Sequence, residues 1–277
     1  MEELEFYRQQ SVITDPGEVA GLPTDPADLA TLVGGVLIHR DWAWKFGVDL
    51  PEPRRAEAEL RYVKAMLSHL GSLEPRPPAE RLAVTCRDFA VLLVALLRAV
   101  GVPARARAGF AGYFVPGFYD DHWVVETWSA DRGWYLLDAQ VASAPPGAYG
   151  TGDLDPLDIP RDAFLVAGQA WMECRAGQRD PQTVGTSAAD LTGFWEIQGN
   201  VIRDLAALTG TEVLPWDNWG LIPTHYDNLP AEDVALLDTV APVSAAGGPL
   251  LVARETLALD ARLEPPPFMV EPAQPAI

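Results

Sequence analysis

With 277 residues, 48% of them hydrophobic, and nine tryptophans, the chain can bury one elaborated core or two modest ones, which excludes a disordered, fibrous or disulfide-stapled miniature protein. A formal net charge of -19 and a pI near 4.4 set up a field that repels phosphate backbones and anionic lipid, so neither nucleic acid nor a membrane is an expected partner.

The opening segment, MEELEFYRQQSVITDPGE, is acidic, and neither a positively charged start nor an apolar stretch marks it as a secretory signal. The longest uncharged apolar run, Phe89 to Leu97, is about half of what a membrane helix needs. The expected location is the cytoplasm, where Cys86 and Cys174 stay as thiols.

Asp25 as N-cap, Pro26 at the first helical position and apolar residues at helical spacing predict a helix from Asp25 to about Phe46, with a weak point at Gly34-Gly35. A second helix is predicted from Arg54 to Leu70, with Leu60, Val63, Leu67 and Leu70 on one face and Gly71 stopping it. The Pro-rich connector EPRPPAE follows. Cys86 to Val100 is apolar on nearly every face, which predicts a buried helix capped by Thr85 with Asp88 completing a box, and ended by Gly101 and Pro103. Cys86 therefore opens that helix.

Beyond Pro103 the period changes. ARARAGF alternates, WVVETW is rich in β-formers, and WYLLD follows a turn at SADRG, which together predict an antiparallel meander. Residues 142 to 160 read as a loop that could serve as a lid. Helices are predicted over Arg161 to Arg175 and Leu191 to Leu208, and LPWDNWGL with the 231 to 240 segment completes the ordered part. The expected organisation is an N-terminal helical segment over 1–80 packed on the core, a core over 81–145, a loop and helical extension over 146–262, and a loose tail over 263–277.

Cysteine catalysis requires a thiolate, a histidine that accepts and returns its proton, and a group that orients the imidazole. A cysteine in a first helical turn sees unpaired N–H groups and the positive dipole end, which can lower a thiol pKa to about 3.5–7.5. His122 and Asp138 are equidistant from Ala130, so a hairpin turning there sets them opposite one another on one face. Cys86, His122 and Asp138 are accordingly the candidate catalytic residues.

The run TCRDFAVLLVALLRAVGVPARARAGF, followed by DDHWVVETW and GWYLLDAQ, resembles the core of the transglutaminase-like superfamily. In that family a Cys opens a buried helix, and His and Asp follow on adjacent strands. The matches fall on Cys86, His122 and Asp138, and the helix ends in the family's G-[IV]-P-A-R pattern at Gly101 to Arg105. The later GNVIRDLAAL and LPWDNWGL look like the C-terminal part of a bacterial branch of these proteins. The resemblance implies an α+β, papain-like core, with the Cys-bearing helix packed on an antiparallel sheet and flanked by N- and C-terminal helices. It also implies acyl transfer through an acyl-enzyme thioester, from an amide or thioester donor to an amine or water. The donor is expected to be a small molecule, a peptide or a carrier-bound acyl group. Hydrolysis by a cysteine peptidase or amidase, or a non-catalytic binding protein on the same fold, are the alternatives.

The main-chain N–H of Cys86 is a natural oxyanion donor, and Trp42 or Trp44 are candidates for a second one against simple core packing. Arg87 and Asp88 read as helix-capping and surface-pairing residues rather than substrate contacts. Cys174 reads as structural. His39 begins an HRD tripeptide, but a kinase is excluded because there is no glycine-rich loop, V-A-I-K lysine or DFG. Asp153, Asp155 and Asp158 lack the glycine and terminal Glu of a calcium loop, and no cofactor or metal is expected. Trp195, Trp216 and Trp219 could line an acyl pocket, although aromatic core packing is the plainer reading.

Overall fold

A computed structural model describes residues 2–142, 144–145, 147–222 and 229–271. The N-terminal region runs through α1 (Glu2–Phe6), α2 (Pro26–Val36), the short strand β1 (Leu37–His39), α3 (Glu52–Arg55) and α4 (Val63–Leu70). Asp25 caps α2 as expected, its carboxylate accepting from the Ala27 N–H at 2.7 Å. The helix does not continue to Phe46. It stops at Val36 because Leu37 to His39 pair in parallel with β2 (Leu82–Val84), a long-range ladder that local propensity does not contain. The second predicted helix is likewise broken between Glu59 and Val63, although Gly71 ends it in a positive-φ conformation as expected.

The remaining elements are α5 (Cys86–Ala99), β3 (Ala104–Val115), β4 (Phe118–Ser129), β5 (Gly133–Leu137), α6 (Ala139–Ala142), β6 (Phe164–Val166), α7 (Ala167–Arg175), β7 (Val184–Thr186), β8 (Leu191–Thr192), α8 (Phe194–Leu208), α9 (Ala231–Ala246) and α10 (Leu250–Leu257). The fold is α+β. β3, β4 and β5 form the expected antiparallel meander; β6 extends it beside β3, and β7 adds a short parallel pairing to Tyr119 and Asp120. Strands β6 and β8 begin segments read as continuous helices, and sheet pairing again overrides the local pattern there.

Alternation along β3 divides the molecule into two layers. Ala104, Ala106 and Ala108 share a core with the apolar face of α5, where small side chains let the helix approach the sheet closely. Arg105 and Arg107 face the other way, Arg107 toward Asp204 of α8 and the Ser244 carbonyl of α9, and Arg105 toward the Gly247 carbonyl and Glu3 of α1. The sequence run ARARAGF thus encodes one apolar and one ionic face. The segment expected to be a loose tail is held as far as Glu271: Leu263 and Met269 are buried, and the Trp219 indole donates to the Leu263 carbonyl at 3.1 Å. The rest of that segment, 272–277, lies outside the described residues. Among the described residues no helix is long and apolar enough to cross a membrane.

Candidate active site

Cys86 occupies the first position of α5, and its surroundings fix the start of that helix. Asp88 accepts from the Thr85 N–H at 2.9 Å and from the Thr85 hydroxyl at 3.1 Å. Arg87 donates to Asp88 at 2.9 Å and reaches the carbonyls of Glu212 and Val213. Both Arg87 and Asp88 are buried, so the pair is an internal brace that ties the helix start to the segment after α8, and not a surface pair.

On the edge of β4 away from β3, β7 pairs with residues up to Asp120 and β5 pairs from Val125 onward. Among the described residues no strand pairs with residues 121–124 on that edge, and there the main-chain N–H of Trp123 lies close enough to the Cys86 sulfur to favour its thiolate. Burial pushes the Cys86 thiol well above its ordinary value, and the carboxylates of Asp121, Asp88 and Asp138 push the same way against the Trp123 N–H. This reverses the expectation from helix position. Removal from water beside three acidic groups favours the neutral thiol, a contribution that helix position does not contain.

His122 lies on β4 next to that gap, and its Nε2 is 2.8 Å from Asp138 Oδ2. The expected direct opposition does not occur. The ladder pairs Val125 with Leu137 and turns one residue later than Ala130, so Asp138 lies past the end of β5 and meets His122 diagonally. The displacement preserves parity, and therefore the shared face. Asp138 heads α6, where its Oδ1 accepts from the N–H groups of Gln140 at 3.0 Å and Val141 at 3.1 Å, while Tyr113 donates to Oδ2 at 2.7 Å. Burial works to raise the Asp138 pKa, but the His122 ring and these donors hold it below the ordinary carboxylate value. Gly109, opposite His122 in β3, gives β6 room to cross: a Cβ there would lie 2.2 Å from the Leu165 carbonyl oxygen. Phe164 of β6 and Phe114 then bracket the imidazole edge-on.

Cys86 and His122 line one cavity of about 430 Å³, together with His39, Arg40, Asp41, Trp42, Phe114, Asp120, Asp121, Gln140 and Trp216. Among the described residues no hydrogen bond joins the Cys86 sulfur to the His122 ring. The two are brought together by the cavity they both line. Of the tryptophans weighed from the sequence, Trp42 and Trp216 line the cavity, Trp44 is 69% exposed and Trp219 is buried in the core. Tyr149, in the segment considered as a lid, is buried and packs on the rings of Trp42 and Phe114, which line the cavity. Cys174 is buried in α7, and burial pushes its thiol up to about 11, consistent with a structural role. Sequence reasoning missed His39, Tyr113 and Asp121 as site residues: long-range packing brings His39 to the cavity and Tyr113 to Asp138, and Asp121, beside His122 on β4, bears on Cys86 only through space. Among the described residues no cluster of His, Cys, Asp and Glu is arranged to hold a metal ion.

Residues 59–139, which include Cys86, His122 and Asp138, match the transglutaminase-like superfamily. The chain carries a transglutaminase-like domain. No curated protein matches it. Among solved structures, a candidate cysteine protease from Cytophaga hutchinsonii aligns at 16% identity with a TM-score of 0.31, over 60% of this chain and 45% of its own. The aligned part is thus less than half of that protein's length. The transglutaminase-like domain contributes α5, β3, β4 and β5 to the site; His39, Trp42 and Trp216 come from outside the matched residues.

Proposed function

We propose that the protein is a cysteine-dependent acyl-transfer enzyme, with Cys86 as nucleophile, His122 as general base and then acid, and Asp138 as the group that orients His122. The donor is an amide or thioester on a small molecule, peptide or carrier-bound acyl group, and the acceptor is an amine or water. One observation carries the reading. A thiol at a helix start and an imidazole on the adjoining strand line one cavity, and a carboxylate from a third element holds that imidazole from behind at 2.8 Å.

Because burial favours the neutral thiol, its proton leaves as the sulfur attacks. The S–H proton passes to His122 Nδ1, the nitrogen not engaged by Asp138, while the sulfur lone pair forms the bond to the carbonyl carbon. Asp138 stabilises the resulting imidazolium. The imidazolium returns the proton to the leaving amine or thiol, and the thioester remains on Cys86. An incoming amine or water then attacks the thioester, gives its proton to His122 and restores the thiol. Exclusion of water from the cavity favours transfer to an amine, and admission of water gives hydrolysis.

The test is Cys86 labelling by iodoacetamide as a function of pH, read by peptide mass spectrometry in the wild type and in His122→Ala. Labelling at neutral pH that depends on His122 supports the reading. In the variant, labelling is expected to rise only above the ordinary thiol range. Identical profiles, or an unreactive Cys86 in folded protein, favour a non-catalytic binding protein on this fold.

A further inference from the structure

The chemistry above develops negative charge on the substrate carbonyl oxygen, and a tetrahedral intermediate ordinarily requires two preorganised donors for it. The Cys86 N–H, at the first position of α5, has no partner within the helix and can supply one. The second donor has to border the same cavity and come from an element fixed relative to Cys86.

β1 meets this requirement. It pairs in parallel with β2, His39 is in register with Val84, and the ladder is extended by the Arg40 N–H donating to the Val84 carbonyl at 2.8 Å. Two residues beyond Val84 the chain reaches Cys86, so one short sheet holds His39 and the nucleophile side by side at the cavity. The Asp41 N–H donates to His39 Nδ1 at 3.3 Å, which makes Nδ1 the acceptor and leaves the proton of the neutral ring on Nε2. Among the described residues that Nε2 has no hydrogen-bond partner. The ring is held against Trp42, with centroids 5.5 Å apart. The Trp216 indole is committed to Glu59 at 3.2 Å, and Trp44 is outside the cavity.

We propose that His39 is a further catalytic residue: its Nε2–H donates to the carbonyl oxygen of the acyl donor while the Cys86 sulfur adds to the carbonyl carbon. The proposal rests on Cys86 being the nucleophile. As the S–C bond forms, the π pair of the carbonyl moves onto oxygen, where the Nε2–H and the Cys86 N–H hold it. When the pair returns, the C=O bond re-forms and the leaving group departs. No proton leaves His39 in either step. Burial pushes the His39 pKa down to about 4, so the ring is a neutral donor throughout the neutral range and not a competing base.

The discriminating experiment compares two reactions of the same thiol. Single-turnover acylation by p-nitrophenyl acetate passes through an oxyanion; alkylation by iodoacetamide does not. In His39→Ala, acylation is expected to fall roughly 100- to 1,000-fold while alkylation stays within about twofold of wild type, which also shows that the variant is folded. His39→Gln, which keeps a side-chain N–H donor, is expected to recover at least about tenfold of that loss. Trp42→Phe serves as the control for the other indole at the cavity. Acylation unchanged in His39→Ala, equal loss of acylation and alkylation, or loss in Trp42→Phe alone each overturns the proposal. A wild type that is alkylated but never acylated overturns it and leaves Cys86 as a nucleophile; a wild type inert to both reagents overturns the reading of Cys86 as well.

Discussion

Glu126 and His122 lie on the same strand, and each belongs to a buried polar cluster, but the two clusters are closed differently. Around Glu126 every charge ends on protein. Arg105 donates to it at 2.8 Å and Arg107 at 2.7 Å, Arg161 covers the other oxygen, and Arg107 grips Asp204 with two bonds of 3.0 Å. Asp204 is completed by the Ala108 N–H and the Ser244 hydroxyl. Around His122 the back is closed as thoroughly, with four donors on Asp138, while the front opens on the cavity. Polar groups satisfied on all sides tie β3, β4, α8 and α9 together. Groups satisfied on one side only are held in place and still available for chemistry.

Four substitutions and one titration test that contrast. The largest effect is expected for Asp138→Asn. An amide donor facing Nε2 forces the wrong imidazole tautomer, and acylation should fall by about 10⁴-fold, well beyond the loss of about 1–3 kcal/mol in stability expected from uncharging this hydrogen-bond acceptor. Loss of stability in proportion to activity would show that the site cluster is structural after all. Arg107→Met should do the reverse. It leaves Asp204 and Glu126 buried without their shared cation, at a cost of about 3–5 kcal/mol in urea unfolding, while acylation per folded molecule stays near wild type.

Next in size is the response to acid. The Glu126 pKa, against the opposing effect of burial, is held below the usual range by Arg105, Arg107 and Arg161, and the Asp138 pKa is held down by His122 and its donors. Both groups have depressed folded values. Their contribution is therefore complete above the unfolded carboxylate pKa of about 4 and is lost as pH falls through the folded values. Stability should decline below about pH 4 in the wild type and decline less steeply in Asp138→Asn; parallel curves would contradict the assignment. Tyr113→Phe removes one of the four donors to Asp138, and a loss of about 1 kcal/mol with a several-fold slower acylation is expected from matched unfolding and kinetic runs. The smallest effect is predicted for Asp121→Asn. Its carboxylate opposes the Cys86 thiolate, so the substitution should raise neutral-pH alkylation a few-fold, and a slower rate would contradict that sense of charge.

The Asp121 prediction concerns a residue that sequence pattern did not single out, although its neighbour His122 was plain. The identities of Cys86, His122 and Asp138 follow from order and residue type, and Thr85 with Asp88 marked the helix start within four residues. Asp121 acts on Cys86 through space, and Tyr113 reaches Asp138 from the far end of β3. Neither relation leaves a local periodic signal. The diagonal meeting of His122 and Asp138 has a similar origin, because the hairpin length fixed their face but not the residue at which the turn is made.

By itself the sequence determined the buried helix with Cys86 at its start, the β3–β5 meander, the two-faced ARARAGF strand and the membership of the candidate triad. These depend on capping, alternation and turn chemistry acting over a few residues. Tertiary structure alone decided that residues 37–39 form a strand, that His39 borders the cavity, that Arg87 and Asp88 are internal, and that the Cys86 thiol is raised rather than lowered. Those outcomes depend on long-range pairing and on the removal of charge from water, which arise only when distant segments pack together.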